Sequence, residues 1–314
     1  MVKHVSIQNF KSIKSLEFEA RRVNVFIGEP NTGKSNILEA LGVFTPNIDW
    51  REIIRYEREE NIFSESDSTE KILINVDDLR SEMWMDNKLV SHLISIIGWK
   101  IIGNITDLLV EPEEEDLIFR FYRFQIPDSF KANGLKYLQP PNGENLFSIL
   151  LSNQKLRERV SEILAQKGLK LNIRMGERTL EAVREKDGLL LSYPYKTISD
   201  TLQRIVFYLA AIETNKDAVL LFEEPEANTF PYYTKQLAER IAADESNQYF
   251  LVTHNPYFLN SLVQQTRIED LNVFVTYMED YQTKVRPLSE DDFSKILDLD
   301  KEVFYNLDIL GHNA

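Results

Sequence analysis

The chain has 314 residues, 43% apolar and 27% charged, with a net charge of −14 and no cysteine. That length suits one large domain or two small ones. Disulfides and thiolate metal sites are excluded, and so acidic a chain is a poor general binder of phosphate backbones.

HVSIQNF (4–10) alternates like a strand, SLEFEA (15–20) is a second candidate, and VNVFIG (23–28) is a compact apolar run ending at glycine, as in a buried strand. NILEALGVF (36–44) has helical spacing. Between 46 and 150 the pattern is harder to read. KILINV (71–76) and LIFRFYRF (117–124) resemble strands, and NKLVSHLISIIGW (87–99) fits a helix or a strand pair. EPEEED (111–116) reads as a solvated loop. QPPNGEN (139–145) reads as a turn. The segment 146–167 reads as one helix, and short strands are expected over 170–192. A helix over 199–214 precedes a buried strand at 218–222. An amphipathic helix (232–245), a buried strand (248–254), a hairpin (273–280 with 283–288) and a helical tail beginning near SEDD (289–292) follow. Strand–helix–strand alternation at both ends implies an α/β fold with a mostly parallel core sheet. We expect a single domain over 1–314, with an N-terminal antiparallel β region and a central insertion over 46–195.

GEPNTGKS (28–35) fits the P-loop pattern G-x-x-x-x-G-K-[ST], after an apolar strand and before a helix. Gly28 and Gly33 let the backbone curl, so that N–H groups around Asn31, Thr32 and Asn36 turn towards phosphate oxygens. Lys34 is expected to reach the β and γ phosphates of a bound nucleotide, and Ser35 to hold Mg²⁺.

VLLFEEPEANT (219–229) runs an apolar strand into two adjacent glutamates. Side-by-side carboxylates repel, and desolvation raises their pKa values, so a cation is the expected neighbour. Glu223 would help hold Mg²⁺, directly or through water, and Glu224 would act as general base on a water molecule. QYFLVTHNPYF (248–258) puts His254 at the end of the next strand, where it could contact the γ phosphate or the attacking water.

These motifs together resemble the ABC-type ATPases of the RecF, SMC and OLD (overcoming lysogenisation defect) kind. VSIQNFKSIKSLEF with VNVFIGEPNTGKSNILEAL looks like their N-terminal signature. FEEPEANTFP looks like Walker B and the D-loop, closest to the OLD branch, and VTHNPYFLNSL like the switch-histidine segment. The resemblance implies a head-to-tail pair of copies enclosing ATP, with YKTISDTLQRIVFYLAAI (195–212) as the signature segment and Ser199 contacting the opposite γ phosphate. Asp200 and Thr201 stand where the family has a glycine, and Asn228 where OLD-like chains have histidine. Gln125 and Gln139 are candidates for the Q-loop glutamine.

Too little chain separates Ser35 from Glu223 for the long heptad arms of an SMC protein. The roughly fifty residues after 262 are too few for the nuclease domain of OLD enzymes. We therefore expect a compact cytoplasmic ATPase, with no membrane partner, that dimerises or forms a larger homo-oligomer. It would control a separate effector, a nuclease, in prokaryotic defence against phage or plasmids. The alternatives are a RecF-like repair ATPase that binds DNA directly, which the net charge does not favour, and a scaffold that binds nucleotide without hydrolysing it.

Overall fold

The computed structural model describes residues 1–86, 89–96 and 118–310. The chain opens with strands β1 (His4–Phe10), β2 (Ile13–Glu19) and β3 (Val23–Ile27), then helix α1 (Lys34–Gly42) and the single turn α2 (Trp50–Ile53). Strands β4 (Ile72–Val76), β5 (Leu79–Asp86) and β6 (Leu89–Ile96) pair antiparallel in order β2-β1-β4-β5-β6. Residues 89–96, read as helix or strand pair, are therefore strand. The rest of 87–99, and 111–116, lie outside the described residues.

The core sheet has the order β14-β13-β3-β12-β11-β7. Its strands are β7 (Ile118–Tyr122), β11 (Ala218–Glu223), β12 (Gln248–Val252), β13 (Leu271–Glu279) and β14 (Gln282–Pro287), with β3 in the middle. All pairings are parallel except β13 with β14. The segment 46–195 thus gives β4–β6 to the antiparallel sheet and β7 to an edge of the core sheet. Its remaining strands, β8 (Lys170–Arg174), β9 (Thr179–Lys186) and β10 (Leu189–Pro194), form a small sheet of their own.

Alternation along the core strands builds two apolar layers. Val25, Leu220 and Leu251 face one side, where they pack with α5 (Asp200–Thr214), α6 (Pro231–Ala243) and α7 (Pro256–Gln265). Phe26, Leu221 and Phe250 face the other, with α1 and the antiparallel sheet. Burial on both faces is why these strands read as unbroken apolar runs. Each large side chain so buried contributes about 1.5–3 kcal/mol.

The expected helix 146–167 is two helices, α3 (Leu146–Ser152) and α4 (Gln154–Ala165). Asn153 has extended backbone, and its side chain accepts from the Leu156 N–H at 3.0 Å, capping α4 where apolar spacing alone predicts continuity. The tail helix α8 (Glu290–Leu299) starts within SEDD as expected, with Ser289 and Asp292 forming a capping box.

Candidate nucleotide site

Parallel strands end on the same edge of a sheet, so β3, β11 and β12 deliver the three sequence motifs to one place. Gly28 follows β3, Glu223 ends β11 and Thr253-His254 follows β12. A Cβ on Gly28 (φ 146°) would run into the Thr276 carbonyl oxygen. One on Gly33 (φ 89°) would run into the Thr283 side chain. The β13–β14 hairpin therefore presses on the loop from outside, and only glycine permits that approach.

Lys34, the first residue of α1, is 4% exposed. Its Nζ donates to the carbonyls of Gly28 (3.0 Å) and Glu29 (2.5 Å) and to Thr32 Oγ1 (3.3 Å). Burial lowers its pKa to about 8, against the opposing pull of Glu224 and Glu29. Thr32 Oγ1 donates to the Glu29 carbonyl at 2.9 Å, and Asn31 adopts a left-handed backbone. Asn36 Nδ2 donates to Ser12 Oγ at 2.8 Å, and that hydroxyl lies against the loop at Gly33.

Glu223 sits in a charge network that sequence reasoning missed. Arg55 Nη2 donates to its Oε1 at 2.7 Å and Arg123 Nε to its Oε2 at 2.8 Å. Both guanidiniums also contact Glu39, which is fully buried and bonded to Lys11 Nζ at 2.5 Å. Burial pushes the Glu223 pKa up, but Arg123 and Arg55, with the Ser35 hydroxyl, hold it below the ordinary carboxylate value. Glu39 was findable, since it lies one helical turn after Ser35 on the same face. Arg123 immediately follows β7, whereas nothing local singles out Arg55.

Glu224 has a left-handed backbone (φ 43°), and its N–H donates to the Val252 carbonyl at 3.0 Å, which ties the turn after β11 to β12. Its Oε1 lies 3.4 Å from His254 Nε2, and both side chains are partly open to solvent. Burial and then Lys34 lower the His254 pKa, with Glu224 opposing, so the imidazole is neutral at neutral pH. Ser199 is exposed, and its hydroxyl caps α5 by accepting from Leu202 N–H at 3.4 Å. Thr201 Oγ1 donates to the Asn228 carbonyl at 3.1 Å, which joins the start of α5 to the turn beyond Glu224. Gln125 is exposed shortly after β7, while Gln139 Oε1 accepts from Asn133 Nδ2 at 2.7 Å within its own loop.

The donors fit a nucleotide triphosphate with Mg²⁺. A glycine-shaped loop, a buried lysine and the start of α1 suit the phosphates. Ser35 and an ionised Glu223 offer two oxygen ligands, which suits an ion held otherwise by phosphates and water. Among the described residues no group of three or more His, Asp or Glu side chains forms a metal cage by itself. The family model described as AAA ATPase domain matches residues 1–172, more than half of the chain. The chain belongs to that family. Similar solved structures are SMC heads. One, bound to the C-winged helix domain of ScpA, has a TM-score of 0.61 at 15% identity and covers 94% of this chain and 99% of that one. The head domain from Thermotoga maritima gives 0.50 at 11%, covering 92% and 99%. An Smc head with an extended coiled coil, bound to the C-terminal domain of ScpA and derived from Pyrococcus furiosus, gives 0.58 at 15%, covering 95% and 98%. No curated protein matches. This AAA ATPase domain therefore has the fold of an ABC-type P-loop ATPase head of the SMC/RecF-like class, as its motifs led us to expect. No described helix is long and apolar enough to cross a membrane.

Proposed function

We propose that the chain binds ATP with Mg²⁺, hydrolyses it in a head-to-tail pair of copies, and uses the cycle to control a separate effector. The observation that carries this reading is the Glu224–His254 pair. It stands at the ends of adjacent parallel strands, close enough to Lys34 for each side chain to act on its neighbour's charge.

In this mechanism the P-loop amides and Lys34 hold the phosphates. Ser35 and Glu223 hold Mg²⁺, whose charge offsets that of the phosphate oxygens when bound. Glu224 accepts the proton of the attacking water at a carboxylate oxygen. His254 donates or accepts one hydrogen bond to orient that water or the γ phosphate. Ser199 of a second copy completes the site from outside. An exposed Ser199 at the head of a fifteen-residue helix favours this, since that end of a helix attracts anions. The effector as a nuclease, and a role in defence against phage or plasmids, rest on the likeness of Glu-Glu-Pro-Glu to the OLD branch.

The test is phosphate release and oligomeric mass measured together with Mg-ATP. Lys34→Ala should lose nucleotide binding, and Glu224→Gln should bind ATP and accumulate as a dimer. A wild type that binds ATP with neither turnover nor change of mass overturns the reading. One observation favours that second outcome, a nucleotide-dependent scaffold. Glu223 already has two guanidinium partners, and these compete with Mg²⁺ for its oxygens.

A further inference from the structure

The proposed mechanism gives no work to Glu226, two residues beyond Glu224. Its side chain is 3% exposed, so a carboxyl lies in the interior a short step from the reactive pair. Oε1 accepts from Thr253 Oγ1 at 2.5 Å, while Oε2 is buried without a hydrogen-bond partner among the described residues. The Thr253 hydroxyl in turn accepts from the Asn255 N–H at 3.0 Å. Asn255 then uses its Oδ1 to accept from Tyr257 N–H (2.9 Å) and Phe258 N–H (3.2 Å), capping α7. The two residues on either side of His254 are thus tied, through one hydroxyl, to Glu226.

The other end of the tie is equally local. The Glu226 carbonyl accepts from Thr229 N–H at 3.0 Å and from Thr229 Oγ1 at 2.6 Å, and the Glu224 carbonyl accepts from Ala227 N–H at 3.0 Å. The turn after β11 is therefore a closed hydrogen-bonded unit. Glu226 is the side chain by which that unit grips the loop after β12. We propose that Glu226 is a positioning residue that holds Glu224 and His254 in register by tying the turn after β11 to the His254 loop through Thr253.

Burial supports the assignment. It pushes the Glu226 pKa up to about 7, with the Glu224 charge adding to the rise. The Thr253 hydroxyl and the nearby N–H groups of Glu226 and His254 oppose it. A carboxyl so hard to ionise is costly to keep inside a protein unless it is bonded, and here the bonded group flanks the proposed water-orienting residue. A glutamine can accept the same hydrogen bond, whereas an apolar side chain cannot.

The inference rests on the proposed roles of Glu224 and His254, so its test has one arm that needs no turnover. The sequence has four histidines, which makes the His254 ring proton assignable by NMR with a His254→Gln control. In nucleotide-free protein, Glu226→Leu should shift the lowered His254 pKa towards the ordinary value of about 6.5. Glu226→Gln should leave it near wild type. With Mg-ATP, Glu226→Leu should lower kcat about tenfold or more while nucleotide affinity stays within about twofold, and Glu226→Gln should recover most of the rate. Thr253→Val removes only the bridging hydroxyl and carries the same test if Glu226→Leu does not fold. If the wild type has no turnover, the mechanism fails and the NMR arm alone decides the positioning role. An unchanged His254 titration in both Glu226→Leu and Thr253→Val overturns the proposal, as does a loss of nucleotide affinity in step with kcat.

Discussion

Arg123 Nε lies 2.8 Å from Glu223 Oε2, and the same guanidinium reaches Glu39 through Nη2 at 3.5 Å. One arginine from the end of β7 thus joins the carboxylate at the end of β11 to a fully buried carboxylate on α1. Glu39 keeps Lys11 and Arg55 when Arg123 is removed, but among the described residues Glu223 keeps a single guanidinium partner, Arg55.

Arg123→Met should therefore destabilise the protein by about 1.5–3 kcal/mol near pH 7, since the Glu223 carboxylate loses one of its two charged hydrogen-bond partners and keeps the other. The Glu223 pKa is lowered in the folded state. Stability from this pair is fully present above the unfolded carboxylate value, near 4.3, and is lost as pH falls through the lower folded value. Urea unfolding should show the gap between variant and wild type narrowing below about pH 4. In the same variant Mg²⁺ should support nucleotide binding at a lower concentration than in wild type. A gap that is constant with pH would show that Arg123 acts by packing alone.

Lys34 yields a pH prediction of opposite sign. Its pKa of about 8 reflects burial, and bound phosphates would favour the charged form and raise it again. Nucleotide binding at pH 8.5 should then take up a proton. Calorimetry in two buffers of different ionisation enthalpy measures that uptake directly. Affinity should be flat below about pH 8 and fall above it, by at most tenfold per pH unit. Lys34→Met should abolish both the uptake and most of the binding.

The Ser199 cap separates a structural role from a functional one. Ser199→Ala removes the acceptor for Leu202 N–H and should cost about 1 kcal/mol of stability. Ser199→Asp keeps a capping oxygen, so stability should change by less than about 0.5 kcal/mol. The added negative charge would face the γ phosphate of a partner copy. ATP-dependent dimerisation of the Glu224→Gln variant should therefore be lost on adding Ser199→Asp. Dimers that survive the aspartate would leave Ser199 as a cap only.

The parts of the site carried by short contiguous runs were legible in the sequence. GEPNTGKS, FEEPE and VTHNP each follow an apolar strand, and parallel pairing brings their ends together. What escaped was long-range. Arg55, Arg123 and Lys11 meet Glu39 and Glu223 only because α1, β7 and β11 are neighbours in space, and no local pattern encodes which arginine will close such a network. The same holds for the sheets. β4–β6 carry ordinary alternation, but their partner β1 lies some seventy residues earlier, so the pairing that joins them to the N-terminal sheet left no local signal. The break at Asn153 is the opposite case, a single capping side chain interrupting a run whose apolar spacing continues across it.

Phe230 tests the pairing of copies. It is 67% exposed at the start of α6, just beyond the Glu224 turn, with Tyr232 also 51% exposed. A cleft of about 580 Å³ beside it is lined by Ser199, Thr201, Tyr193, Lys167 and Arg184. An exposed aromatic next to a cleft that holds the proposed partner-facing serine has the character of an interface anchor, and such anchors commonly contribute 2 kcal/mol or more. In the Glu224→Gln background with Mg-ATP, Phe230→Glu should weaken dimerisation about thirtyfold or more, measured by light scattering across a dilution series. Nucleotide affinity of the single copy should stay within about twofold, because no P-loop group contacts Phe230 through a hydrogen bond or ion pair among the described residues. Retained dimers would mean that copies meet through another face, and the proposed head-to-tail arrangement would have to be abandoned.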